Sequence, residues 1–102
     1  MYNSLMDLSW DESKRSRTLA ERGLDFADCA VVFAGPTYTF PDERSDYGED
    51  RFITVGVLQE TFVVVVHTSR DETTRIISMR KANERKKAKY ERYFILYERS
   101  GK

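Results

Sequence analysis

The stretch RFITVGVLQETFVVVVHTSRDETTRIISMR, residues 51–80, decides the fold. Its apolar residues are mostly β-branched or aromatic and come in three runs, at 51–58, 61–68 and 74–80, with short polar breaks between them. Such runs favour strands, and breaks this short join antiparallel neighbours. We therefore predict three antiparallel strands in sequence order, which a shorter strand at 37–40 extends to four.

The segment before the sheet has the spacing of two helices. Ser9, followed by Glu12 three residues later, predicts the start of a helix that ends at Gly23. Asp25 predicts the cap of a second helix over residues 26–33, whose apolar residues recur at helical spacing. Both helices therefore precede the strands in the chain.

The remaining sequence limits the class of protein. Residues 82–97 return to helix-forming residues, so the prediction is one α+β domain over residues 1–102, with two N-terminal helices, a four-stranded antiparallel sheet and a C-terminal helix. No apolar run approaches the ~18 residues of a membrane span, so we expect a cytoplasmic protein without membrane contact. Cys29 lies in an apolar helical pattern, which indicates a buried thiol. Without paired His or Cys ligands, no metal or other cofactor is expected.

A formal net charge of zero conceals an asymmetry along the chain. Residues 75–102 contain ten basic residues and three acidic ones, a net charge of +7, which leaves −7 for residues 1–74. Such polarity is typical of a protein that binds a polyanion at one end. A solvated basic helix explains the same composition, and both interpretations stay open.

The lengths of the turns predict which side chains share a face of the sheet. A two-residue turn at 59–60 pairs Phe52 with His67, and a turn that pairs Thr68 with Arg75 extends this register to the next strand. Residues two apart on a strand share a face. One face then collects Phe52, Thr54, Val63, Val65, His67, Ile76, Ser78 and Arg80. The opposite face is almost wholly apolar and should carry the helices.

Four polar residues of this predicted surface and its adjoining loop suit cleavage of an RNA backbone: His67, Arg70, Ser78 and Arg80. A guanidinium binds phosphate oxygens through a fixed fork of donors. An imidazole can transfer a proton near neutral pH, and a serine hydroxyl can orient a phosphate oxygen. Each residue also has an ordinary structural role. The residues alone therefore leave both an RNA-cleaving enzyme and a nucleic-acid-binding module open.

Short motifs follow one another in a specific order over residues 8–91. They are Trp10-Asp11-Glu12 with Lys14, Gly23-Leu24-Asp25-Phe26, Asp50-Arg51-Phe52-Ile53-Thr54-Val55-Gly56, Val64-Val65-Val66-His67-Thr68 with Arg70, Arg75-Ile76-Ile77-Ser78-Met79-Arg80-Lys81-Ala82, and Tyr90-Glu91. This ordered set resembles the BrnT-type ribonuclease toxins of bacterial type II toxin–antitoxin systems.

The resemblance implies a RelE-like fold and an endoribonuclease that cleaves RNA without a metal ion and arrests growth. It also implies neutralisation by a BrnA-like antitoxin, whose ribbon-helix-helix domain binds operator DNA, so that DNA is reached only through the antitoxin complex. The implied catalytic residues are His67, Arg70, Ser78 and Arg80. The candidate RNA-binding residues are Lys14, Arg51, Arg85, Lys86 and Lys89.

Three alternatives to a catalytic toxin remain. The chain could bind RNA or the antitoxin without cleaving, or it could be a degenerate toxin that keeps only antitoxin binding. Glu21-Arg22, where the family commonly has Lys-His, is consistent with such drift. In the third alternative the chain is a structural partner, and the aromatic stripe of Tyr90, Tyr93, Phe94 and Tyr97 is a protein interface.

Overall fold

A computed structural model describes residues 7–44 and 46–99, apart from the side chains of residues 94 and 96–99. The three α-helices are α1 (Glu12–Arg22), α2 (Cys29–Ala34) and α3 (Glu84–Arg99), and a 3₁₀ turn (Phe26–Asp28) precedes α2. The strands are β1 (Leu8–Trp10), β2 (Tyr38–Pro41), β3 (Arg51–Leu58), β4 (Thr61–Arg70) and β5 (Thr73–Lys81). The α+β class is therefore confirmed.

The sheet has five strands in the order β1-β5-β4-β3-β2, with β1 parallel to β5 and the other pairs antiparallel. The prediction of a wholly antiparallel four-stranded sheet was therefore wrong by one strand. β1 is only three residues long, too short to show a period of two, and its Ser9 resembles a helix cap in the sequence. In the structure, Ser9 Oγ lies 2.9 Å from Thr73 Oγ1 instead. The short strand covers only the first part of β5 and leaves the edge of β5 open beyond Ile76.

Helix α1 begins two residues later than the sequence predicts. Asp11, not Ser9, caps it: Asp11 Oδ1 accepts the backbone N–H groups of Ser13 at 2.9 Å and Lys14 at 3.4 Å. The predicted end is confirmed, because Gly23 has φ +71° and its N–H bonds to the carbonyl of Leu19.

The second predicted helix is divided. Asp25 does cap this segment, since its side chain accepts the N–H of Ala27 at 3.0 Å, but the first turn is 3₁₀ and only Cys29–Ala34 is α-helical. Phe26, Cys29 and Val32 are fully buried there, which confirms the buried thiol.

The predicted register holds in the first hairpin and fails in part of the second. Phe52 pairs with His67 and Thr68 with Arg75, as predicted. A β-bulge between Val66 and His67 then shifts the register, so that Val66, not Val65, lies opposite Ser78. One extra residue in β5 moves every following side chain to the other face.

Both faces of the sheet carry helices, whereas the sequence predicts helices on one. The α2 face packs Val63, Val65, Ile76 and Met79 against α2 and the 3₁₀ turn. The α3 face packs Ile53, Val55, Val64 and Val66 against Tyr90 of α3. None of the described helices is long and apolar enough to cross a membrane.

Candidate functional site

A basic groove runs between α1 and the open edge of β5. It consists of two adjoining cavities of about 150 and 170 Å³, and Lys14 and Ile77 line both of them. Its cationic lining residues are Lys14, Arg17, Arg22, Arg51, Arg70 and Arg75, and its acidic ones are Asp11, Glu21 and Glu49. Positive charge therefore exceeds negative charge two to one, which favours a polyanion. We call this site the α1–β5 groove.

One end of the groove is a row of arginines, two of which are held by one carboxylate. Arg51, Thr68 and Arg75 lie opposite one another on three adjacent strands. Glu49 joins Arg51 to Arg70: its Oε2 accepts Arg51 Nε at 3.1 Å, and its Oε1 accepts Arg70 Nη2 at 3.0 Å. Hydrogen bonds first from Arg70 and then from Arg51 lower the pKa of Glu49 below its ordinary value. Arg51 is also held 4.0 Å above the Tyr47 ring.

The other end of the groove is the C-terminal half of α1 against β5. Arg22 Nη1 donates to the carbonyl oxygen of Met79 at 2.8 Å, which partners one backbone group of the open edge. Ser78, displaced by the bulge, also lines this end together with Arg17. No described carboxylate lies within ion-pairing distance of Lys14, Arg17 or Arg75, so these charges are available to a ligand.

Arg80 lies outside the groove, in a second basic cluster on the α3 face. It lies opposite Val64 on β4. Burial, and then the positive charges of Arg80, Arg44 and Lys89, lower the pKa of the half-buried Lys86. Lys89 Nζ lies 5.7 Å from the centroid of the Tyr90 ring. Lys86 and Lys89, predicted as RNA-binding residues, therefore gather with Arg80, while Arg85 is exposed on α3 without a described partner.

His67 is not part of either basic cluster. The bulge leaves it on the α2 face, whereas Ser78 and Arg80 lie on the α3 face. The prediction that these three side chains share one face of the sheet was therefore wrong. His67 Nε2 lies 2.7 Å from Thr54 Oγ1, and its ring meets Phe33 edge to face at 5.1 Å. Burial lowers the pKa of His67 to about 4, which keeps the imidazole neutral at pH 7.

The aromatic stripe on α3 packs against the sheet. Tyr90 is 4% exposed, and the rings of Tyr90 and Tyr93 lie 5.4 and 4.8 Å from that of Tyr38 on β2. The side chains of Phe94 and Tyr97, which belong to the same predicted stripe, lie outside the described residues. The part that is described therefore serves the fold rather than an exposed interface.

The groove also contains Arg17, Arg22, Glu49 and Arg75, which the sequence did not identify as site residues. A signal for Arg75 was present, because the predicted register already placed it in line with Arg51. Glu49 and the α1 arginines gave no such signal, since their positions depend on how a loop and a helix pack at the edge of the sheet.

The groove is equipped to bind and stabilise phosphate. Guanidinium groups match phosphate oxygens and stay charged at any physiological pH, and a cluster of them stabilises the extra negative charge of a pentacovalent transition state. Among the described residues, no group of three or more His, Cys, Asp or Glu could hold a metal ion.

Comparison with known proteins agrees with this chemistry. A comparison with curated proteins gives no significant match. A family model described as the ribonuclease toxin, BrnT, of type II toxin–antitoxin systems matches residues 10–86, which include α1, strands β2 to β5 and every residue that lines the groove. Since this match spans well over half of the chain, the protein belongs to the BrnT family of ribonuclease toxins.

Proposed function

We propose that this chain is an endoribonuclease toxin that cleaves RNA in the α1–β5 groove without a metal ion and arrests growth. The observation that carries the proposal is the row formed by Arg51, Arg70 and Arg75, facing Lys14 of α1 across a cavity. These groups would bind the scissile phosphate and stabilise the charge that develops on it. Ser78, at the other end of the groove, would orient a phosphate oxygen.

The second basic cluster gives the RNA a path beyond the scissile phosphate. Arg80, Lys86 and Lys89 share the α3 face with Arg75, so an RNA chain that leaves the groove along β5 meets them next. Contacts of this kind supply affinity without sequence choice. We therefore assign Arg80 to flanking phosphate and give His67, buried on the opposite face, a structural role.

The partner belongs to the same proposal. A type II toxin of this family implies an antitoxin. We propose that this antitoxin is a BrnA-like protein with a ribbon-helix-helix domain, and that the complex binds operator DNA only through that domain. A RelE-like relationship of the fold is consistent with helices packed on a sheet that carries a basic site. We also propose cytoplasmic residence, because cellular RNA is found there.

The test is induced expression from a tightly repressed promoter, with growth and RNA integrity followed together. Arg75→Gln removes one groove cation that has no ion-pair partner among the described residues, and Arg92→Gln removes one exposed cation of α3 as a matched control. We expect the wild type and Arg92→Gln to arrest growth and fragment RNA, and Arg75→Gln to do neither. Intact RNA and normal growth with soluble, folded wild type would overturn the proposal.

A non-catalytic module that binds RNA or the antitoxin is the second candidate. The observation in its favour is that the one histidine of the chain lies on the α2 face, away from the basic groove. Purified wild-type protein separates the two candidates: new RNA ends formed under conditions of binding indicate the enzyme, and binding without new ends indicates the module. The incubation is made with and without EDTA, and cleavage in the presence of EDTA shows that the reaction needs no metal ion.

A further inference from the structure

Cleavage of RNA by its own 2′-hydroxyl needs a group that accepts the hydroxyl proton. Two obvious side chains of the chain are unsuited to this. His67 is packed among Phe33, Phe52 and Thr54 on the face opposite the groove. Cys29 is fully buried against Met79, and burial raises the pKa of its thiol to about 12. The acceptor must then be sought among the carboxylates of the groove.

Three of the described carboxylates line the groove, and they have different surroundings. Asp11 is occupied as the cap of α1, where one oxygen accepts two backbone N–H groups. Glu21 lies in the cavity at the far end, away from the arginine row. Glu49 lies within that row, with one oxygen on Arg51 and the other on Arg70, at the point where phosphate would bind.

We propose that Glu49 is the general base of the reaction; this inference rests on the proposed ribonuclease function. A phosphate that enters between Arg51 and Arg70 competes for their N–H donors and frees the Glu49 oxygens. Glu49 then accepts the proton of the 2′-hydroxyl, the 2′-oxygen forms a bond to phosphorus, and the bond from phosphorus to the 5′-oxygen breaks.

The leaving 5′-oxygen takes its proton from the ammonium of Lys14, which lines the same cavity. The products are a 2′,3′-cyclic phosphate and a 5′-hydroxyl, and no oxidant, reductant or added co-reactant is consumed. Lys14 and Glu49 return to their starting states by exchanging protons with water. RNA with a 2′-deoxy sugar at the cleaved position should therefore bind and stay intact.

The arrangement couples the base to the substrate. Without RNA, Arg70 and Arg51 lower the pKa of Glu49, so the carboxylate is ionised but weakly basic. Once phosphate takes up the guanidinium donors and adds its own negative charge nearby, the pKa of Glu49 rises toward its ordinary value. The base therefore becomes stronger only when a phosphate occupies the site.

The experiment compares Glu49→Gln with Glu43→Gln in the full-length protein. Both changes remove one negative charge, and Glu43 is exposed in the adjoining loop, outside the groove. Single-turnover cleavage of an RNA oligonucleotide gives the rate, and an all-2′-deoxy oligonucleotide of the same sequence gives the affinity. We expect Glu49→Gln to cut at least 100-fold more slowly and to bind as tightly as the wild type or tighter, with Glu43→Gln unchanged.

The dependence of rate on pH separates a base from a residue that only positions the arginines. The logarithm of the wild-type rate should rise with slope one on the acid side of the profile, and Glu49→Gln should lose that slope. A Glu49→Gln rate within threefold of the wild type, or equal losses of rate and affinity, would overturn the inference. An inactive wild type would instead overturn the proposed function itself.

If circular dichroism shows that Glu49→Gln is unfolded, the same measurements are made on Glu49→Asp. It keeps a carboxylate on a shorter side chain, so we expect a reduced rate that still rises with pH with slope one. A Glu49→Asp rate without that slope would also reject Glu49 as the base.

Discussion

Thr54 Oγ1 and His67 Nε2 lie 2.7 Å apart and join β3 to β4 on the α2 face. Thr39 Oγ1 on β2 lies 2.7 Å from the same Thr54 oxygen, so three adjacent strands are linked by polar side chains. A chain of this kind satisfies buried groups that would otherwise be costly to desolvate. The imidazole is therefore part of the sheet's own structure, in its neutral form.

His67 should make the protein less stable as the pH falls. Its pKa is about 4 in the fold and about 6.5 in the unfolded chain, so between these values the unfolded chain binds more protons and stability decreases with decreasing pH. We expect a loss of up to about 3 kcal/mol in the free energy of unfolding across this window. Urea unfolding at a series of pH values measures it.

His67→Gln is the control for this loss, since glutamine can partner Thr54 but does not titrate. The variant should be less stable at pH 7 and nearly independent of pH down to about pH 5, where carboxylates begin to protonate. An equal slope in wild type and variant would assign the pH dependence to another group.

Gly56 should not tolerate a larger residue, because α2 packs directly over it. A Cβ at this position would lie 2.5 Å from Val32 Cγ1 and 3.2 Å from Thr37 Cγ2. Gly56→Ala should therefore lower the free energy of unfolding by about 1–3 kcal/mol. Gly35→Ala is the matched control: its Cβ would meet nothing closer than the Val32 carbonyl oxygen at 3.9 Å, and stability should change by less than about 0.5 kcal/mol.

The turn between β3 and β4 offers a stabilising change. Gln59 and Glu60 have φ of 51° and 70°, the left-handed region that type I′ turns require and that side chains with a Cβ disfavour. Glu60→Gly should raise the free energy of unfolding by about 1 kcal/mol, seen as a higher midpoint in thermal unfolding. A lower midpoint would mean that the Glu60 side chain contributes contacts of its own.

Much of the fold was predictable because its signals are local. The alternation in 51–68 and the short turn at 59–60 fix the first hairpin register, and Gly23 ends α1 where the sequence indicates. The bulge opposite Val66 is different, because Ile77 and Ser78 look like ordinary strand residues in sequence. A single extra residue in β5 places the side chains of Ser78 and Arg80 on the other face of the sheet. No local pattern in the sequence indicates this bulge.

The site was predictable only in parts for a related reason. Lys14, Arg51, Arg70 and Ser78 were named from the sequence and do line the groove. The groove itself depends on β1 ending at Trp10, which leaves the edge of β5 open to α1. Because β1 and β5 are parallel and far apart in the sequence, no local pattern indicates that they pair.

Packing of α3 should depend on Tyr90. Tyr90 is almost fully buried between Tyr38, Phe40 and the α3 face of the sheet. Tyr90→Ala should cost about 3–5 kcal/mol in chemical denaturation, comparable to the loss of other large core aromatics. Ile95→Ala on the same helix is the control, since Ile95 is 50% exposed and the change should cost far less. Equal losses would show that α3 is held by other contacts.

The charge of the groove should appear in the salt dependence of binding. For single-stranded nucleic acid, the logarithm of the binding constant falls with the logarithm of salt concentration by about 0.7 for each phosphate neutralised. Arg75 makes no described ion pair, so its full charge is available, and Arg75→Gln should reduce the magnitude of that slope by about 0.7. Fluorescence anisotropy with an all-2′-deoxy oligonucleotide measures the slope without cleavage, and Arg92→Gln, exposed on α3, should leave it unchanged. Equal slopes for the wild type and Arg75→Gln would mean that the nucleic acid does not pass through the α1–β5 groove.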